Sequence, residues 1–304
     1  MKPSYLALHK SGELARRIGV LASFYRKCTL CPHQCGVDRT DSQVGRCRSG
    51  SMPSVASANV HRGEEPPISG ENGSGTIFFA GCTGSCMFCQ NYPISQLGTG
   101  TVVSETRLAE MMLNLERQGC HNINFVTPTH FVPSLVAALG IAVENGFSLP
   151  LVYNSSGYER VEVLKLLEGI VDVYLPDIKY ADDAVALRLS GFHEYTRYNR
   201  AAIREMHRQV GNLRTSRGIA VKGVIVRHLI LPDNLAGTED SMQFLASLSK
   251  NMRVSLMEQY FPAYLAVHDE ILSRRINERE YGEAVDAFHR QGLRKGWIQE
   301  QSES

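Results

Sequence analysis

No stretch of this sequence is apolar for long enough to span a bilayer. The nearest, Leu135 to Val143, is about half the eighteen or so residues that a membrane helix needs. Charge of either sign is not in excess, since 32 Lys and Arg face 31 Asp and Glu for a formal net charge of +1. Such a chain has no overall field to gather a polyanion or an acidic membrane surface, which leaves nucleic acid an unfavoured partner. The opening MKPSYLALHKSGELARR has no apolar core followed by small residues, so it does not read as a secretory signal, and the expectation is a cytoplasmic protein. HExxH and GxSxG are missing, which removes zincins and serine hydrolases. The glycine-rich stretch 70–75 lacks the Lys-Ser/Thr pair of a phosphate loop. Tryptophan occurs once, yet 43% apolar and 21% charged residues describe a globular chain rather than a disordered or collagenous one.

What the sequence does have is cysteine, eight residues in all. In a reducing compartment these need another explanation than disulfides. Cys28, Cys31, Cys35 and Cys47 form one group and Cys82, Cys86 and Cys89 another, while Cys120 stands alone and reads as a small buried hydrophobe. Two such clusters point to metal.

At 304 residues the chain is one large domain or two ordinary ones. Lys10 to Tyr25 reads as an amphipathic helix, with Leu14, Ile18, Leu21 and Phe24 or Tyr25 at helical spacing. Between Cys47 and Thr76 the composition turns to Gly, Pro, Ser and Glu, an irregular connection that separates an N-terminal module from the rest. Short apolar runs follow at 76–81, 123–127, 149–154, 171–180, 221–231 and 254–261, alternating with helical stretches, the first capped by Ser104 and ended by Gly119. Near-continuous apolarity in the runs predicts strands buried on both faces, hence a parallel sheet covered by helices. Six strand–helix units make an α/β fold, a partial (β/α)6 barrel, because a closed eight-fold barrel needs about 250 residues. The expected division is 1–68 for the helix, four-cysteine module and linker, 69–265 for the barrel, and 266–304 for a closing helix and a short capping tail.

Cys82, Cys86 and Cys89 lie in GCTGSCMFCQN directly after the first strand. Three thiolates on one loop can wrap a compact iron–sulfur cubane and leave one iron without a protein thiolate. A structural zinc would want a fourth ligand, which this loop does not hold. The loop resembles the CxxxCxxC signature of the radical S-adenosylmethionine superfamily, including the aromatic Phe88 before the last cysteine. The longer string from GEEPPISG through GSGTIFFAGC to FCQNYPIS resembles the branch related to pyruvate formate-lyase activating enzymes, although Thr83, Gly84 and Ser85 replace the Asn-Leu-Arg common there.

The resemblance implies a 4Fe-4S cluster on Cys82, Cys86 and Cys89. S-adenosylmethionine (SAM) would chelate its open iron, and one electron from the cluster would cleave the sulfonium to a deoxyadenosyl radical that abstracts hydrogen. A reductant such as flavodoxin or ferredoxin and, in the activating enzymes, a protein substrate are the implied partners. Thr129 and His130 in TPTH stand where relatives carry the acidic stretch that holds the methionine amine. Asn154 and Ser156 in YNSSG suit a ribose or carboxylate. Asp177 and Lys179 in DIKY match the Asp-x-Lys element, with Lys179 toward the cofactor carboxylate, and His228 or Arg227 in VRHLILP reaches the cofactor.

The quartet CTLCPHQC with Cys47, spaced by two, three and eleven residues, fits either a structural zinc or a second iron–sulfur cluster. Arg197, Arg200, Arg204 and Arg208 lie on one helical face, read as a solvated basic face, with a partner or RNA surface as its rival. Three functions remain open: hydrogen abstraction on a glycyl-radical partner, radical chemistry on a small molecule or peptide, and a non-catalytic metal-stabilised binding protein.

Overall fold

The computed structural model describes residues 3–298, so the ends of the first and last expected divisions, residues 1–2 and 299–304, lie outside it. Ten strands form one sheet: β1 Ser54–His61, β2 Ser74–Phe79, β3 Thr101–Val102, β4 Ile123–Val126, β5 Leu151–Ser155, β6 Val173–Pro176, β7 Arg214–Ser216, β8 Ile219–Leu229, β9 Arg253–Met257 and β10 Lys295–Ile298. Their order is β10-β9-β8-β6-β5-β4-β2-β1-β3, with β7 paired to β8 alone. From β10 to β2 every pairing is parallel, while β1, β3 and β7 join antiparallel. The six expected strands are all present, and the sheet is open.

Three expectations are corrected. The connection between Cys47 and Thr76 contains β1, whose half-exposed SVASANVH carries too few apolar residues to announce itself. The tail forms no cap, because after the helix Glu278–Arg290 it adds β10 to the sheet edge. The helix read over 10–25 is present as Glu13–Ser23, shorter than expected, and a separate helix, Tyr5–Lys10, precedes it.

The strands divide their residues by parity, as a period of two requires. Leu151, Tyr153, Tyr174, Val224 and Val226 face outward into the main core with the helices Glu105–Arg117, which Ser104 caps as expected, and Val132–Glu144. Val152, Val173, Leu175 and Ile225 face inward, where Ile68 packs against them. Ile68 belongs to the short helix Pro66–Ser69, which lies inside the open sheet and fills its floor.

Candidate active site

Beyond that floor, at the carboxyl ends of the parallel strands, a cavity of about 370 Å³ opens. Inward parity continues through it: Phe78, Val126, Asn154, Asp177, Arg227, Leu229 and Met257 all line it. Cys82, Cys86 and Cys89 line it too. Their loop leaves β2 through Gly81, at φ +79°, where a Cβ would stand 2.7 Å from Ser49 Oγ and 2.8 Å from the Cys47 carbonyl oxygen. Only glycine makes that turn without displacing backbone. The loop is pinned by Ser85 and Met87 amides donating to the Ser190 and Leu189 carbonyls, both at 2.8 Å.

Each sulfur has a polar neighbour. The Gly84 amide donates to Cys82 Sγ at 3.3 Å, Ser190 Oγ donates to Cys86 Sγ at 3.0 Å, and Ser95 Oγ is 3.0 Å from Cys89 Sγ. Burial pushes the Cys82 thiol up to about 12, with the Cys86 charge adding to it, and burial raises Cys86 as well. Three thiolates here therefore need a cationic partner, a condition met by iron.

Lys179 Nζ and Asp177 Oδ2 pair at 2.6 Å on the opposite wall. Burial would lower the ammonium's pKa, but Asp177 and then the Cys86 sulfur outweigh it and hold the lysine protonated. Two residues the sequence did not single out position this wall. Tyr195 OH accepts from the Lys179 amide at 3.0 Å and donates to the Ser156 carbonyl at 2.9 Å, and Asn199 Nδ2 donates to the Asp177 carbonyl at 2.8 Å. Gly157, at φ +70°, makes room for them, since a Cβ would lie 2.2 Å from Asn199 Nδ2.

The third wall is an ion cluster. Arg227 donates through Nε and Nη2 to both oxygens of Glu65, each at 2.7 Å, and through Nη2 to Glu64 Oε2. Burial alone would raise Glu65, but the guanidinium brings it below the usual carboxylate range. The partners are 162 residues apart in the chain, so no local spacing signals the pair.

Of the expected site residues, Cys82, Cys86, Cys89, Asn154, Ser156, Asp177 and Lys179 meet in the cavity, and Thr129, His130 and His228 do not line it. Thr129 Oγ1 donates to the buried Glu159 at 2.6 Å. His130 Nε2 lies 2.9 Å from the Ala80 carbonyl, and burial pushes the ring down to about 3. His228 bridges the Ile178 carbonyl at 2.7 Å and Thr238 Oγ1 at 2.9 Å, and burial pushes it down to about 4. It faces away because Arg227, its neighbour on β8, faces in. From the TPTH stretch it is Thr127, at φ +57°, that reaches the cavity.

Burial raises Glu159 from 4.5 to about 7, against hydrogen bonds from Thr129, Ser155 and Tyr153. Its neutral form is favoured by the fold, so the stability it contributes is complete below pH 4.5 and is lost as pH rises through about 7. The full difference is about 3 kcal/mol. Urea unfolding of wild type and Glu159→Gln at pH 5 and pH 8 is expected to show the variant gaining on wild type by that order at the higher pH; an equal difference at both would refute the assignment.

In the N-terminal quartet Cys28, Cys31 and Cys47 are buried and Cys35 is half-buried. Burial raises Cys31, and the charges of Cys47, Cys28 and Cys35 are near enough to raise it further. Beside them Arg39 is 2% exposed. It donates to the carbonyls of Ser49 at 3.0 Å, His130 at 2.7 Å and Gly50, and its guanidinium lies over Tyr25 at 4.6 Å. Among the described residues no carboxylate pairs with it, a situation that costs several kcal/mol for a buried ion. The basic helix face is not free: Arg197 pairs with Glu194, Arg208 with Glu168 and Glu205, and Arg200 and Arg204 lie over Phe244.

A family model described as the radical SAM superfamily matches residues 76–245, more than half of the chain. The chain belongs to the radical SAM superfamily. Members of the radical SAM superfamily use a 4Fe-4S cluster and SAM, and the cavity's three thiols, lysine and polar strand ends are chemically suited to both. An uncharacterized protein of Methanocaldococcus jannaschii, MJ0674, is 30% identical over 294 residues, which cover 93% of this chain and 80% of that protein. Among solved structures, a radical SAM methyltransferase from Sphaerobacter thermophilus aligns with a TM-score of 0.50 at 13% identity, over 74% of this chain and 65% of the methyltransferase. A structure of TYW1 with a lysine-pyruvate adduct bound aligns at 0.43 and 12%, over 71% and 73%. The likeness to the methyltransferase concerns the fold alone. Among the described residues no helix is long and apolar enough to cross a membrane.

Proposed function

We propose that this protein is a radical SAM enzyme that abstracts a hydrogen atom from its substrate, with Cys82, Cys86 and Cys89 as the cluster ligands. The observation that supports it is the convergence of those three sulfurs with Lys179, Asp177 and Asn154 in one cavity at the strand ends. When bound, the cluster supplies the electron that cleaves SAM reductively. Lys179, kept charged by Asp177, would hold the carboxylate of the methionine moiety, and Asn154 and Ser156 would offer an amide and a hydroxyl to the cofactor's polar groups. Ser190, Ser95 and the Gly84 amide hold the sulfurs in place and help stabilise their negative charge. Glu64 and Arg227, on the wall above the floor, meet the substrate.

The resemblance of the GEEPPISG to FCQNYPIS string supports a finer reading, that the hydrogen comes from a glycine of a partner protein, with flavodoxin or ferredoxin as electron donor. Anaerobically reconstituted protein given dithionite and SAM is expected to release deoxyadenosine and methionine one for one. Cluster-loaded protein that releases neither would sink the enzymatic reading and leave a metal-stabilised binding protein.

A further inference from the structure

Arg39 is a buried cation for which the described residues provide no carboxylate, and one of its amino groups points at Cys28 Sγ, 3.9 Å away. Four neutral thiols would leave that charge unbalanced. We propose that Cys28, Cys31, Cys35 and Cys47 hold a second iron–sulfur cluster and that Arg39 is its counter-cation.

Charge alone asks only for metal, since four thiolates around Zn²⁺ or around a 2+ four-iron core both carry a net −2. Position favours the cluster: a structural zinc needs no second site beside it, whereas the quartet is packed against the loop that carries the cavity cysteines, where a redox centre can serve them.

The quartet is joined to the cavity loop at three points. His33, between Cys31 and Cys35, lies with Nε2 2.8 Å from the carbonyl of Thr83, between Cys82 and Cys86. Arg46 donates to Ser85 Oγ at 3.2 Å. The Cys47 carbonyl closes on the Gly81 turn. A redox centre in that position has an evident use. One electron enters the quartet from a low-potential one-electron protein donor, which is oxidised by one, and passes to the cavity site, which is reduced by one; no bond or proton is exchanged. This use rests on the cavity reading above, whereas the metal assignment does not.

The test takes the full chain, purified anaerobically, as wild type, as C82S/C86S/C89S and as C28S/C31S. The cavity triple variant is expected to keep iron and acid-labile sulfide in equal number, about four of each, against about eight in wild type. One zinc, or no metal, in that variant would overturn the proposal. If C28S/C31S then still holds about four irons, the cavity reading survives that failure. Arg39→Met is expected to move the midpoint potential of the quartet's EPR signal downward, and Arg39→Lys to keep it near wild type. An unmoved potential in Arg39→Met rejects the counter-cation role. Fully reduced wild type should show spin coupling that both cysteine variants lack, and two independent signals would reject the relay.

Discussion

Cys86→Ala is expected to bring deoxyadenosine release below detection and to remove about four irons per chain, while the fold survives. Cys86 is the central ligand of the loop, and Ser190 Oγ donates to its sulfur from the neighbouring helix. The loop backbone is held separately, by Ser85 and Met87 on the Ser190 and Leu189 carbonyls and by the Ala266 amide on the Met87 carbonyl at 2.9 Å. Truncating one half-buried thiol therefore costs about 1 kcal/mol, the ordinary value for a substitution. Cys120→Ala is the control: that thiol is 3% exposed in the main core, and its loss should leave iron and turnover unchanged. Full turnover in Cys86→Ala would remove the cluster assignment.

Arg227→Met is expected to be the most destabilising single change in the site. It strands Glu64 and Glu65, whose side chains are 6% and 5% exposed, without their cation. Breaking a buried ion pair from one side costs about 3–5 kcal/mol, which for a chain of this size lowers the melting temperature by roughly 10 °C. The loss has a pH signature. Without the guanidinium, burial raises the Glu65 carboxyl above its unfolded value, so its penalty is absent below about pH 4.5 and grows as pH rises. Adding Glu65→Gln should return part of the loss. Melting curves at pH 5 and pH 8 decide it: equal losses at both would show that the charge of the glutamates is not what Arg227 serves.

The βα alternation and the cysteine loop were legible because each is written in consecutive residues. The six apolar runs fall on β2, β4, β5, β6, β8 and β9, and Ser104 caps its helix as the pattern asked. Parity was not legible. A strand buried on both faces is apolar throughout, so VRHLILP does not say whether residue 227 or 228 looks inward. Chemistry favoured His228, whereas the sheet turned Arg227 in. The Glu65–Arg227 pair and the Tyr195–Asn199 brace were hidden for a different reason, because they join segments that only the folded topology brings together. β1 and β10 escaped because half-exposed strands need few apolar residues.

The segment from Glu64 to Ser69 gives the open sheet a crossbar. Strand pairing fixes the distance between neighbours, but nothing in an open sheet fixes the gap between its two ends. Here Ile68 wedges against β5, β6 and β8 while Glu65 ties to β8 from a segment that leaves β1 at the far side. The gauge of the cavity is thus set by one short insert outside the ladder. Lengthening or shortening that insert resizes the chamber for a different guest while every strand register stays as it is.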